Sequence, residues 1–297
     1  AGMSVLSGMT GFARVSGEAE WGSWAWEAKS VNGRGLDVRV NYPPGFEALE
    51  RVIKSAAPKY FQRGSLQVAL RIDLSSGADT ATVNTTLLDT LAAAVEKRTG
   101  AALSGEVFAS LMNVKGVVEP GAGNLRDLGS DEAVITPLAK AGEEALQALQ
   151  AERRREGGML ADLLEGLVAG MEELREKAGK LADTQPALLQ ERLTKQLDEL
   201  DPGGRVDKER AAAEIALSAA KADVREELDR LTAHFVSAHE LLAGGSPVGR
   251  KLDFLAQELN REANTLCSKS VSLDLTNAGL GLKGLIDQFK EQAANVE

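Results

Sequence analysis

The chain has 297 residues, 43% of them hydrophobic and 26% charged, a balance that fits one large or two modest globular domains and excludes a disordered chain. No apolar run approaches the roughly 20 residues that a membrane helix requires, and no basic stretch followed by an apolar core opens the chain, so a cytoplasmic address is expected. The lone Cys267 excludes an internal disulfide and a multi-thiolate zinc centre; the net charge of −10 speaks against a chain basic throughout, yet residues 1–75 carry nine Lys/Arg against seven Asp/Glu, which leaves room for a locally basic surface.

Ala1 and Gly2 ahead of Met3 read as a remnant of tag removal, so fold reasoning begins at Met3. Trp24-Ala25-Trp26-Glu27-Ala28-Lys29 alternates in polarity, as a half-buried strand does. Leu36, Val38 and Val40 oppose Asp37, Arg39 and Asn41 in a second strand. Glu47 to Phe61 places Leu49, Val52, Ile53 and Ala56 at helical spacing, with Pro43-Pro44-Gly45 before it and Arg63-Gly64 after it. Leu66, Val68, Leu70, Ile72 and Leu74 then form a third strand's apolar stripe. Strand, strand, helix, strand predicts a mixed-sheet domain, and the chain as a whole an α+β protein.

Beyond Ser75-Ser76-Gly77 helical periodicity takes over, interrupted near Glu119 to Gly123 and at Asp201-Pro202-Gly203-Gly204. Residues 138–200 are rich in Ala, Leu, Glu, Lys and Arg, the composition of long helices that serve as a scaffold or an oligomer-forming arm. The expected division is an α+β domain over 3–155 and an all-α domain over 156–297 with a long helical arm and the candidate site.

From Ala211 onward, placed at about 100° per residue, Leu217, Ala220, Val224, Leu228, Leu231, Phe235, Ala238 and Leu242 predict one buried stripe on one helix. On a second face Asp223, Glu227, Arg230 and His234 follow at spacings of four, three and four, bringing together two carboxylates, a guanidinium and an imidazole that titrates near neutrality. The bland reading of the same residues is a run of exposed ion pairs worth about 0.2 to 0.5 kcal/mol each. His239 points about 140° away from His234, which excludes a two-histidine metal site on a straight helix.

Pro247 starts a further helix over 249–269. Leu252, Leu255, Ala256, Leu259, Ala263 and Leu266 make its buried arc, and Arg250, Asp253, Gln257, Arg261 and Asn264 cover the opposite arc, with Lys251, Glu258, Glu262 and Lys269 between. Asparagine is a mediocre helix former, so an amide-rich face is a local inconsistency of the kind found at sites. Glu258 and Glu262, one turn apart, repel unless a cation lies between them. Lys251, Lys269 or a divalent ion fits that place, and oxygen ligands suit Mg²⁺ or Mn²⁺; the alternative is a solvated Glu/Lys ladder.

These segments resemble the YicC-like endoribonuclease family. The resemblance is carried by Ala222-Asp223-Val224, Glu226-Glu227, Arg230-Leu231, His234 and the run from Gly249 through Asn264 to Ser268-Lys269. Toward the amino terminus it is carried by Ser7-Gly8-Met9-Thr10-Gly11-Phe12-Ala13-Arg14, Glu27 through Asp37 and Arg63-Gly64. It implies a metal-dependent endoribonuclease acting on single-stranded or structured RNA, assembled as a ring-like or clam-shell homo-oligomer with a hexamer among the expected forms, and a part in the stress response. The family's motif positions fall here on Asp223, Glu226, Glu227, Arg230, His234, Asp253, Gln257, Glu258, Asn260, Arg261, Glu262, Asn264, Ser268 and Lys269.

Phosphodiester cleavage needs an activated nucleophile, neutralisation of charge on the phosphoryl oxygens and protonation of the leaving oxygen. The expected catalytic set is His234, Glu258, Glu262, Asp223 and Glu227. Glu258, Glu262 and Asp223 would hold a divalent Mn or Mg ion, and Arg34, Arg230, Arg250, Gln257, Asn260, Arg261, Asn264 and Lys269 would contact RNA. A second reading is a non-catalytic adaptor that delivers RNA to another ribonuclease; a third is a purely structural helical assembly. No phosphate-binding glycine loop and no nucleophile elbow is present.

Overall fold

A strand that alternates apolar and polar residues needs a cover on one face only, and a sheet of such strands with one helical layer satisfies that need. The computed structural model describes residues 5–74, 82–100, 102–119 and 122–297, and it realises this arrangement in the first of two compact units, Gly11–Glu152. Ala1 to Met3, Ser75-Ser76-Gly77 and Pro120-Gly121 lie outside the described residues. Four strands, β1 (Gly11–Ala19), β2 (Gly22–Val31), β3 (Leu36–Asn41) and β4 (Gly64–Leu74), form a sheet of order β1-β2-β4-β3. The pairs β1–β2 and β2–β4 are antiparallel; β3 and β4 are parallel, with α1 (Glu47–Tyr60) as the crossover between them. The expected α+β class is borne out. β1 is an addition: only Ala13 on it is buried, so no stripe of large apolar side chains announces the strand.

The cover comes from α1 and the first turns of α5 (Glu132–Ala182). Trp26, Phe46, Leu49, Ile53, Leu66, Val68, Leu138, Leu146 and Leu149 share one core. Fully buried Trp26 donates its indole N–H to Leu138 O at 2.9 Å, which removes the cost of burying that donor. Gly33 has a steric reason: a Cβ there would stand 2.9 Å from the Gly64 carbonyl carbon. A small satellite holds β5 (Thr82–Val83), α2 (Thr85–Thr99), α3 (Gly105–Met112) and β6 (Val118–Glu119) around Leu88, Leu111 and Val117, followed by α4 (Ala122–Ser130).

Among the described residues the second unit comprises residues 5–10 and Arg153–Glu297, so residues 5–10 belong with the helices and not with the sheet that follows them in sequence. Its helices are the rest of α5, α6 (Gln185–Leu200), α7 (Lys208–Lys221), α8 (Arg225–Gly244), α9 (Gly249–Lys269) and α10 (Leu273–Ala293). Leu164, Val168 and Met171 of α5, Leu231 and Phe235 of α8, Leu259 and Leu266 of α9, and Leu282 and Phe289 of α10 share one core. No helix among the described residues is long and apolar enough to cross a membrane.

The amino-terminal segment is stitched into this bundle. Gly8 N–H donates to Arg153 O at 2.8 Å, Gly8 pairs with Val296, and Met9 N–H donates to Asn295 O. Arg153, fully buried, donates Nε to Gly8 O at 2.7 Å and pairs with Glu297 at 3.1 Å. Thr10 donates both its N–H and its hydroxyl to the Glu156 carboxylate.

The stripe expected from Leu217 to Leu242 on one helix is corrected. The helix breaks at Ala222–Val224, and Leu217 (51% exposed) and Ala220 lie on α7, which buries no residue. Asp223 Oδ1 accepts the N–H of Arg225, and the carbonyls of Ala222 and Asp223 are taken by Gln185 Nε2 and Lys269 Nζ. Orphaned backbone groups at a break need such partners. From Val224 to Leu242 the predicted stripe is buried as expected.

Gly157 and Gly158 make opposite predictions for one substitution. A Cβ at Gly157 would stand 2.0 Å from Leu6 O, whereas Gly158 faces open space. Gly158→Ala should stabilise by up to about 1 kcal/mol, the ordinary helical gain, while Gly157→Ala should destabilise by about 1–3 kcal/mol through a backbone clash. Urea midpoints of the two variants check both signs.

Candidate active site

Lys269, the last residue of α9, places Nζ 2.9 Å from Glu227 Oε1 in the first turn of α8. Further along α8, Arg230 Nη1 stands 3.5 Å from Glu262 Oε1, nearly two turns back along α9. The two pairs make α8 and α9 antiparallel neighbours with a charged seam. Glu227 and Glu262 are each only 4% exposed. A buried carboxylate costs several kcal/mol unless a cation and hydrogen bonds offset it, which is why each stands opposite a cation.

The cations reach outward. The Lys269 side chain is 29% exposed and also donates to Asp223 O at 3.1 Å. Arg230, with its side chain 53% exposed, also binds Glu226 at 2.5 Å. Glu227 Oε2 is buried with no hydrogen-bond partner among the described residues. One further turn along the seam come His234 on α8 and Glu258 on α9, both half-buried and neither in an ion pair among the described residues. Expected spacing and structure agree on Glu227, Arg230 and His234, since all three lie on α8.

The other predicted residues separate into three places. Arg250, Gln257, Arg261 and Asn264 line the solvent-facing side of α9, where Gln257 bonds Asp253 at 3.0 Å and Asn264 bonds half-buried Asn260 at 3.3 Å. Asp223 sits in the turn before α8, its carboxylate engaged by the Arg225 backbone and 3.8 Å from the Arg225 guanidinium. Arg34 lies in the exposed turn between β2 and β3 of the first unit.

The expected trio of Asp223, Glu258 and Glu262 is therefore not brought together. Among the described residues no group of three or more His, Cys, Asp or Glu side chains is placed to hold a metal ion. Glu262, expected on the flank, is turned inward instead, because Arg230 supplies the neighbouring positive charge. Asp223-x-x-Glu226 is the helix-start signature that would have revealed the break.

His239 is engaged elsewhere, as its angular offset requires. Its ring nitrogens lie 2.6 Å from Glu165 and 3.1 Å from Glu172 of α5. Burial works against its charge, but the two glutamates outweigh it and hold its pKa above the ordinary value. Burial pushes the Cys267 thiol up, away from nucleophilic use. Sequence reasoning missed Gln185, 1% exposed, whose amide bonds the backbone beside both Asp223 and Lys269. No periodicity or motif marks it, because all its partners are backbone groups distant in sequence.

Comparison with known proteins adds a second line. The chain is 34% identical over 298 residues to a protein of Haemophilus influenzae named probable endoribonuclease YicC, covering 99% of this chain and 100% of that one. It is 28% identical over 302 residues to a protein of the same name from Clostridioides difficile, covering 97% and 99%. The family model described as the endoribonuclease YicC-like amino-terminal region matches residues 6–162, and the one described as the carboxy-terminal part matches residues 178–297. With both models matched and a relative this similar along its whole length, the chain belongs to the YicC-like endoribonuclease family.

Proposed function

We propose that this protein cleaves RNA internally, on single-stranded or structured substrates in the cytoplasm, and that the α8–α9 seam is where it does so. The carrying observation is the pair of buried carboxylates, Glu227 and Glu262, each holding a cation whose other side faces solvent. A guanidinium has five N–H donors and an ammonium three. Arg230 and Lys269 thus keep donors for phosphoryl oxygens while the carboxylates fix their positions, the preorganisation that stabilises developing charge. The relatives named probable endoribonuclease support the reaction class.

The remaining roles follow from exposure. His234, half-buried and without a partner among the described residues, transfers a proton to or from the reacting oxygens. Arg250, Gln257, Arg261 and Asn264, on the open side of α9, with Asn260 beside them, bind the RNA backbone and orient its sugars; Arg34 adds a contact from the first unit. A divalent ion, Mn²⁺ or Mg²⁺, is normally held by one or two carboxylates together with substrate phosphate. Glu258, half-buried and in no ion pair among the described residues, is the carboxylate that fits it, in place of the trio with Asp223. Such an ion would neutralise charge on the phosphate.

The protein self-associates, with a hexamer as one form of the proposal; exposed apolar side chains Leu188, Leu200, Val206 and Leu217 of the α6–α7 region, Leu200 being 82% exposed, support self-association and carry no subunit number. A further ribonuclease is a partner of the alternative, adaptor, reading.

Two measurements test the proposal. Incubation of a 5′-labelled single-stranded RNA with the protein and Mn²⁺ should give internal cuts that EDTA abolishes; cuts that persist in EDTA would remove the metal, and intact but gel-shifted RNA would favour the adaptor. His234→Ala should lower the cleavage rate by about 10²- to 10⁴-fold with an unchanged thermal midpoint, and a fully active variant would remove the proton-transfer role.

A further inference from the structure

We propose that Gln185 is a positioning residue for this site: it sets where Lys269 stands. The inference rests on the reading of the α8–α9 seam as the cleavage site.

Gln185 opens α6 and is 1% exposed. Its Nε2 donates to Ala222 O at 2.7 Å and lies 3.5 Å from Lys269 O; its Oε1 accepts the N–H of Val271 at 2.8 Å. One buried amide therefore spans two backbone segments. The first is the turn before α8, where Asp223 O receives the Lys269 ammonium. The second is the end of α9, where Lys269 is the last helical residue and Ser270 has already left the helix, at φ −63° and ψ 132°.

Helix ends fray, and Lys269 reaches Glu227 through four rotatable bonds. Its ammonium is only as well placed as its backbone. Gln185 holds the backbone on both sides of the contact, at Ala222 before Asp223 and at Val271 after Lys269. A buried amide left unpaired forfeits its hydration without replacement, so the side chain is satisfied only while both segments keep their places. Among the described residues Gln185 is also the only buried residue that α6 and α7 contribute, so the base of this helical pair is fastened at the point where Lys269 meets α8.

A purely structural clamp would lower stability and leave the chemistry of the folded protein alone. A positioning residue lowers kcat through Lys269. The test is a double-mutant cycle on RNA cleavage with Gln185→Met, Lys269→Met and the double variant, each assayed well below its own thermal midpoint. Gln185→Met should lower kcat about ten- to hundredfold with KM changed less than about twofold, and the double variant should match Lys269→Met alone, because the effect of Gln185 has no other route. If Gln185→Met does not fold, Gln185→Glu, which keeps the acceptor for Val271, reads the same cycle. Wild-type kcat in the Gln185 variant, or losses that add in the double variant, would overturn the inference while leaving the site reading intact. Wild-type cleavage by Lys269→Met would overturn both.

Discussion

The helical unit is organised around two buried carboxylates. Glu227 and Glu262 sit at 4% exposure on facing helices, and neither position is tolerable for an isolated charge, whose desolvation costs several kcal/mol even after relaxation. Lys269 and Arg230 answer them across the seam. Sliding α9 by one turn would separate both pairs at once, so the charges fix the register of helices whose apolar arcs alone would allow neighbouring alternatives. The same arrangement supplies chemistry. Both cations stand at the boundary between seam and solvent, held from one side and open on the other, which is the disposition needed to meet a phosphodiester without reorganising.

A second constraint is the interruption of the helix at Ala222–Val224. Asp223 turns its carboxylate to the Arg225 backbone, and the carbonyls freed by the break are received by Gln185 and Lys269. The turn thus becomes the place where α6, α8 and α9 are tied together. The amino-terminal motif is explained in a similar way. Ser7, Gly8, Met9 and Thr10 bond Glu297, Arg153, Asn295 and Glu156, so these residues are constrained by docking on the helical unit. Gly157 is small because the backbone of Leu6 passes against it.

Much of this was legible in the sequence. The alternation of Leu36 to Asn41 and Leu66 to Leu74 marked β3 and β4, the spacing in Glu47 to Phe61 marked α1 to within a residue, and every apolar residue of the expected α9 arc from Leu252 to Leu266 is buried. What escaped has physical causes. β1 buries one alanine and so carries no apolar signal. Glu262 looks solvated on a helical wheel because a wheel shows one helix, and Arg230 that neutralises it lies on another. The break at Asp223 hides inside a continuous helical pattern, betrayed only by Asp223-x-x-Glu226. Gln185 acts on backbone groups 37 and 86 residues away, which no local periodicity records.

The central claim is that the seam's buried carboxylates serve the cleavage of RNA as well as the packing of α8 on α9. Glu227→Gln tests it most directly, since the amide keeps the shape and an acceptor for Lys269 while removing the charge. Cleavage of a 5′-labelled single-stranded RNA should fall by about a hundredfold or more, the loss typical when a preorganised donor, here the Lys269 ammonium, is no longer held opposite the transition state, in a protein that still unfolds cooperatively. Wild-type cleavage by that folded variant would contradict the account and reduce the seam to a device for holding two helices together.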